Sequence, residues 1–285
     1  MTTPLLEVQD LRLAYPGQGF RARPVEILHG VSLTVAQGET LGLVGESGSG
    51  KTTIGRALLG LARPSGGRIV FGGRDITRLP AKERRSLARD LQVVFQDPYT
   101  SLNPSLTVGD ILSEPLVVQG TRPSDARRRV GDLLDQVGLP ADAAERLPRE
   151  FSGGQRQRVA IARALAPEPR LIVCDEPVSA LDLSTQARVL DLLIDIQRRT
   201  GVAYLFISHD LAVVRHISHR VAVLYRGDLV ETGPAPQVTS APEHPYTRRL
   251  VLASPVADPV EQGKRRAERR RLAEAGSPAN EGSST

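Results

Sequence analysis

Lys51 stands at the end of a glycine-spaced run, LGLVGESGSGKTT from Leu41 to Thr53. Gly45, Gly50, Lys51 and Thr52 satisfy the pattern G-x-x-x-x-G-K-[ST], a loop that cradles phosphate groups. Glycines at 45, 48 and 50 let the backbone curl and turn its N–H groups inward. The Lys51 ammonium suits the β- and γ-phosphates of a nucleotide, and the Thr52 hydroxyl suits Mg²⁺. Two further acids follow an apolar run in LIVCDEP, Leu171 to Pro177. Asp175 suits the carboxylate that organises a metal beside such a loop. Glu176 is then placed to accept a proton from an attacking water. Alone, two acids after a core strand would be surface residues; the phosphate loop changes their meaning. A third stretch, FSGGQRQ from Phe151 to Gln157, opens a helix with Ser-Gly-Gly. It offers unhindered N–H groups and a hydroxyl to an anion, although Ser152 also suits an ordinary N-cap. A single nucleotide does not need two such helix ends in one chain, so the second is left over.

These residues need strands and helices to hold them. Leu41 to Val44 reads as a buried strand, and Thr53 to Leu61 has helical spacing. The loop thus lies between strand and helix, the context its pattern requires. Leu171 to Cys174 and Ala203 to Ile207 read as further buried strands. Asp175 and Glu176 emerge at a strand's C-terminal end, the edge where open α/β sheets bind ligands. Ser184 to Arg199 is an amphipathic helix. Toward the N-terminus, Leu5 to Tyr15 alternates apolar and polar residues and is expected as an edge strand. Val25 to Val35 is expected as a strand turned near Gly30, after a loop at Pro16 to Pro24. Gly66 to Phe71 reads as a strand, Ala81 to Asp90 as a charged helix, and Leu91 to Phe95 as a strand delivering Gln96. From Asp97 the strand signals stop. Helices at Val108 to Leu116, Ala126 to Val137 and Gly154 to Leu165 indicate a helical insertion over about 97–165. Val221 to Tyr225 and Asp228 to Glu231 form a last strand pair.

Composition limits the alternatives. Of 285 residues, 40% are hydrophobic and 24% charged, as expected for a soluble globular protein. Cys174 is the only cysteine, which excludes an intrachain disulfide and a multi-cysteine metal site. It is read as core packing. The N-terminus carries charge within its apolar stretch and is not a signal peptide. No apolar run approaches the ~20 residues a membrane span needs. Net charge is +5, with a basic run KRRAERRR at Lys264 to Arg271. No aromatics are interleaved there for base stacking, so it reads as a solvated tail and nucleic acid is not expected as a partner. Residues 256–285 are expected to be disordered.

Taken together, the motifs resemble those of the ATP-binding cassette (ABC) ATPases. GESGSGKT resembles the Walker A motif and LIVCDEP the Walker B motif. FSGGQ resembles the signature motif, with Phe151 where leucine is usual. VSALD, ending at Asp182, resembles the D-loop. Gln96 matches the Q-loop glutamine, His209 in FISHDL the switch histidine, and Tyr15 the aromatic that stacks on adenine. The resemblance implies an α/β P-loop NTPase core with an antiparallel β-subdomain and a helical insertion subdomain. It implies that Gly45, Glu46, Ser47, Gly48, Ser49, Gly50, Lys51, Thr52 and Thr53 hold ATP, with Mg²⁺ at Thr52, Gln96 and Asp175. Glu176, His209 and Gln96 would serve hydrolysis. The family pairs two cassettes head to tail, which explains the surplus helix end. Ser152, Gly153, Gly154 and Gln155, with Asp182, would meet the nucleotide of a partner cassette.

Pro242 to Leu250, PEHPYTRRL, resembles the C-terminal segment of oligopeptide, dipeptide and nickel importer ATPases, as does VVFQDPYTSLNP. The nucleotide-binding domain is then expected over 1–255, with that segment at about 232–255. Two transmembrane permease subunits, a second ABC ATPase in a mixed dimer or a homodimer, and indirectly an extracytoplasmic solute-binding protein are the implied partners. The implied place is the cytoplasmic face of the cell membrane. A soluble ABC ATPase of DNA repair or translation is the alternative; its usual coiled coil, zinc insertion or tandem cassettes are missing here. Some relatives carry an iron–sulfur cluster near this segment, but this chain lacks the cysteines for one.

Overall fold

The computed structural model describes residues 3–17 and 23–254. The basic run at Lys264 to Arg271 and the expected disordered tail lie outside them, as does the middle of the Pro16 to Pro24 loop. Four strands form an antiparallel sheet: β1 (Leu6–Tyr15), β2 (Val25–Val35), β4 (Gly66–Phe71) and β5 (Arg74–Asp75), ordered β2-β1-β4-β5. Six strands form the central sheet: β3 (Thr40–Val44), β6 (Leu91–Val94), β7 (Leu171–Asp175), β8 (Ala203–Ser208), β9 (Arg220–Tyr225) and β10 (Asp228–Pro234). Their order is β10-β9-β3-β8-β7-β6. All pairings are parallel except the β9–β10 hairpin.

A strand covered on both faces must be apolar throughout, and this is why β3, β7 and β8 are near-continuous hydrophobic runs. Their side chains alternate between two cores. Ile172, Cys174, Tyr204 and Phe206 enter the core built with α6 (Gly153–Leu165), α7 (Leu183–Thr200) and α8 (Leu211–Ile217). Leu171, Val173, Leu205 and Ile207 enter the one shared by α1 (Lys51–Leu58) and the antiparallel sheet. Cys174 is buried, and desolvation pushes its thiol well above the ordinary range, so it serves packing.

Between β6 and β7 the chain is helical: α3 (Pro98–Ser101), α4 (Val108–Val118), α5 (Pro123–Gln136), two short 3₁₀ turns, then α6. The remaining helices are α2 (Ala81–Leu87), α9 (Ala235–Ser240) and α10 (Pro245–Ala253).

Two expectations need correction. β1 is not an edge strand; it lies between β2 and β4. The alternation that suggested an edge comes from having one buried and one solvated face, which any antiparallel strand can have. Its buried residues are Leu6, Val8, Leu11 and Leu13, and their parity slips where Asp10 (φ 47°) makes a bulge. α1 also stops before Leu61. Gly60 adopts φ 72°, and the Leu61 N–H reaches back to the Arg56 carbonyl at 2.8 Å, a Schellman-type stop. Leu61 is left two-thirds exposed.

Gly42 sits in the middle of β3, and a Cβ there would meet Val214 Cγ1 at 2.3 Å and Ser218 Oγ at 2.5 Å. Helix α8 rests directly on the strand at this point. Gly42→Ala should therefore destabilise the fold by about 1–3 kcal/mol through overpacking. Chemical denaturation is the check: the midpoint should fall with an unchanged slope.

Candidate functional site

The parallel strands bring their C-terminal ends to one edge. Val44 is in register with Ser208, and Asp175 with Ile207. Each strand end then delivers a polar group: the phosphate loop after β3, Glu176 after β7, His209 after β8. Gln96 follows β6 on the same edge and is exposed.

The loop is tightly held. Gly45 approaches the Leu224 carbonyl so closely that a Cβ would lie 2.1 Å from it. Gly50 takes φ 106° at the N-cap of α1, leaving the following N–H groups open to an anion. Lys51 is 5% exposed, and its Nζ donates to the carbonyls of Gly45 (2.7 Å) and Glu46 (2.8 Å). Burial lowers its pKa, against the opposing pull of Glu176, Asp175 and Glu46. Ser49 Oγ is buried and, among the described residues, has no hydrogen-bond partner. Ser47 and Gly48 are exposed at the tip, and nothing lies within 4 Å of a Cβ built on Gly48. An orphaned hydroxyl, a lysine bonded only to carbonyls and an open helix end fit a polyphosphate.

Thr52 Oγ1 donates to Asp175 Oδ1 at 3.1 Å. Burial raises the Asp175 pKa, and the Thr52 hydrogen bond works against that rise. A hydroxyl and a carboxylate meeting at the loop are hard oxygen donors of the kind Mg²⁺ takes. Gln96 would add a third from the neighbouring strand. Next along, Glu176 has φ 50°, a left-handed conformation that costs a non-glycine residue on the order of 1 kcal/mol. Its amide is held by the Ile207 carbonyl at 3.0 Å. His209 Nδ1 lies 3.1 Å from Glu176 Oε2, so with the proton on Nδ1 the ring donates to the carboxylate. Tyr15 ends β1 with its side chain partly exposed.

The signature-like segment heads α6. Ser152 Oγ accepts from Gln155 N (3.3 Å), and Gln155 Oε1 accepts from Ser152 N (2.9 Å), a capping box. Gly154 is required by packing, because a Cβ there would strike Thr185 Cγ2 at 2.3 Å. Gly153 has no such neighbour; its nearest would be Leu181 at 3.5 Å. Phe151, in the place of leucine, is buried under the Arg146 guanidinium, 4.5 Å from its ring centroid. Asp182 caps α7, and bonds from Ser184 and Thr185 hold its carboxyl well below its ordinary range. Among the described residues, the side-chain hydrogen bonds of Ser152 and Asp182 stay within their own helix starts. Tyr246, read from the sequence only as part of the PEHPYTRRL segment, also reaches the loop: its hydroxyl accepts from Glu46 N at 3.0 Å.

The sequence profile described as "ABC transporter" matches residues 28–179, more than half of the chain. The chain belongs to the ABC transporter family. This family member is 52% identical over 268 residues to "Glutathione import ATP-binding protein GsiA" of Escherichia coli and of Salmonella choleraesuis. Those matches cover 92% of this chain but 43% of each relative. The chain thus spans less than half the length of the curated relatives it matches. Among solved structures, cbiO1 from Clostridium perfringens, part of the ABC transporter complex cbiONQ, superposes with a TM-score of 0.75 at 27% identity, covering 84% of this chain and 91% of its own. The ATP-binding cassette MJ0796, seen as a dimer in a post-hydrolysis state bound to ADP and Pi, superposes with a TM-score of 0.72 at 29% identity, covering 81% and 98%.

Two substitutions test this cassette's site. Lys51→Ala removes the ammonium and should weaken a fluorescent ATP analogue by roughly a hundredfold in equilibrium titration. Glu176→Gln should keep that affinity while slowing single-turnover hydrolysis by roughly 10²–10⁴. A loss of less than about tenfold would remove Glu176 as the base.

Proposed function

We propose that this chain is the ATP-hydrolysing subunit of an importer for short peptides, working at the cytoplasmic face of a membrane through separate permease subunits. The observation that carries the reading is the meeting of Lys51, the Thr52–Asp175 pair and the Glu176–His209 pair at one sheet edge. Lys51 moves from the Gly45 and Glu46 carbonyls onto the β/γ-phosphates. Mg²⁺, when bound, neutralises phosphate charge, and Thr52, Asp175 and Gln96 would hold it. Glu176 takes the proton of the attacking water, while His209 fixes the carboxylate's orientation through Oε2 and faces the γ-phosphate.

The relatives are named for glutathione import, and glutathione is a small peptide; with the HPYT segment this supports the peptide class. A permease is supported by a surface groove that Gln92 of β6 helps to line. The open groove of about 830 Å³ runs between α2, α4 and the start of α5, lined in part by Arg85, Arg89, Leu116, Val118 and Arg129. Val118 exposes an apolar side chain in it, and Leu61 and Phe95 do so in a smaller neighbouring groove that shares Ala88 and Gln92. Among the described residues no helix is long and apolar enough to cross a membrane.

The α6 end completes the reading. Ser152 and Gly153 contribute to the nucleotide of a second cassette, a sibling ATPase or a second copy, rather than to this chain's own. Purified alone, the chain should bind ATP yet hydrolyse it slowly, with a rate rising more than linearly with protein concentration. Ser152→Arg should impair hydrolysis and spare ATP binding. The measurement is ATPase rate against concentration; full, concentration-independent turnover by a monomer would sink the composite site.

A further inference from the structure

The proposed chemistry leaves the motif His244-Pro245-Tyr246-Thr247 without a task. The structure gives each of its residues a place. The carboxylate of Glu231 on β10 accepts from the Glu243 (2.9 Å) and His244 (3.1 Å) amides and fixes the approach of the chain. His244 is the N-cap of α10, its Nδ1 accepting from Tyr246 N at 3.2 Å. Pro245 takes the first helical position, where its fixed φ suits the helix and its missing N–H costs nothing. Thr247 is fully buried. Tyr246 is thereby delivered to a single spot, with 2% of its surface exposed.

That spot lies between β9 and the phosphate loop. The Tyr246 ring packs on Tyr225, with centroids 4.1 Å apart and planes tilted by 34°. Its hydroxyl oxygen accepts from Glu46 N at 3.0 Å, across 200 residues of sequence. The same residue is held from its other side. The Glu46 carbonyl accepts from Ser49 N (3.2 Å) and from Lys51 Nζ (2.8 Å). Glu46 is therefore a link between the phenol outside the loop and the ammonium within it. Elsewhere the loop rests on the β9–β10 hairpin, through Gly45 against the Leu224 carbonyl and Gly227 N donating to Ser49 O at 3.0 Å. The first leg of the loop, exposed at Glu46 and Ser47, has Tyr246 as its brace. Burial raises the phenol's pKa, and the Glu46 N–H bond works against that rise.

We infer that Tyr246 is a positioning residue for the nucleotide site: its hydroxyl holds the Glu46 peptide in place when Lys51 leaves the Glu46 carbonyl for phosphate. The inference rests on the reading that the loop takes a nucleotide. On the free chain, the lysine and the phenol share the work of fixing Glu46. Once the lysine is drawn onto the phosphates, the carbonyl keeps only its Ser49 partner, and the phenol's bond becomes the main external tie. The C-terminal segment is then part of the nucleotide site's support.

Tyr246→Phe separates this role from packing, because it keeps the ring on Tyr225 and removes only the acceptor. In the unaltered, nucleotide-free full chain, hydrogen exchange should show the Glu46 amide more protected than those of Ser47 and Gly48. In Tyr246→Phe the Glu46 amide should exchange up to about tenfold faster, as expected for losing one hydrogen bond. A fluorescent ATP analogue should bind about two- to tenfold more weakly. The melting temperature should shift by no more than about 2–4 °C. Two results would overturn the inference: a Glu46 amide as fast as its neighbours in the unaltered chain, or unchanged exchange and affinity in the variant. Should the unaltered chain bind no ATP analogue, the nucleotide reading fails instead, and the exchange result still reports on the bond itself.

Discussion

β3, β8 and β7 are neighbours, run parallel and end level with one another, and the site depends on that register. Pairing Val44 with Ser208 and Ile207 with Asp175 puts the phosphate loop, His209 and Glu176 on one edge, where Thr52 bonds Asp175 and His209 bonds Glu176. A slip of one residue would turn Asp175 and the apolar residues before it to opposite faces. Both faces of these strands are buried and apolar, so alternation alone does not set the register; position-specific fits do, such as Gly42 under α8, where a Cβ would meet Val214 Cγ1 at 2.3 Å.

Electrostatics at that edge are balanced rather than favourable throughout. Lys51, Asp175 and Glu176 share a partly buried region where each charge is costly to desolvate. Burial pushes the Lys51 pKa down and the Asp175 pKa up, so both are pressed toward their neutral forms. Their mutual attraction and the Thr52 hydrogen bond oppose that pressure. A site tuned this way gains when polyphosphate and a divalent ion arrive, since each supplies the counter-charge a buried group lacks.

Much of this was legible in the sequence because it is local. A loop between an apolar run and a helix, or acids following LIVC, can be read from neighbours along the chain. The misreadings were non-local or depended on one dihedral. Whether β1 is central or at an edge depends on β4 pairing with it from more than fifty residues away. The end of α1 depends on Gly60 turning left-handed inside a run that still reads as helical. Gly154 looked like an opening for an anion, but Thr185 on α7 also demands a glycine there. Tyr246 carried only a family likeness, because its contact with Glu46 spans almost the whole fold.

The two glycines of the α6 start bear differently on the composite-site proposal. Packing accounts for Gly154 and leaves Gly153 without an internal reason. Ser152 is engaged too, its hydroxyl acting among the described residues as an acceptor toward Gln155 N. A hydroxyl has one donor and two acceptor positions, so the cap leaves its proton available to an outside oxygen. The helix end is therefore already ordered by its capping box before any ligand arrives, and the donor it presents does not have to be taken from the cap. A partner's phosphate would meet a preformed donor beside a glycine with no internal packing duty. That combination suits recognition across an interface, where ordering a loop at the moment of contact would cost affinity.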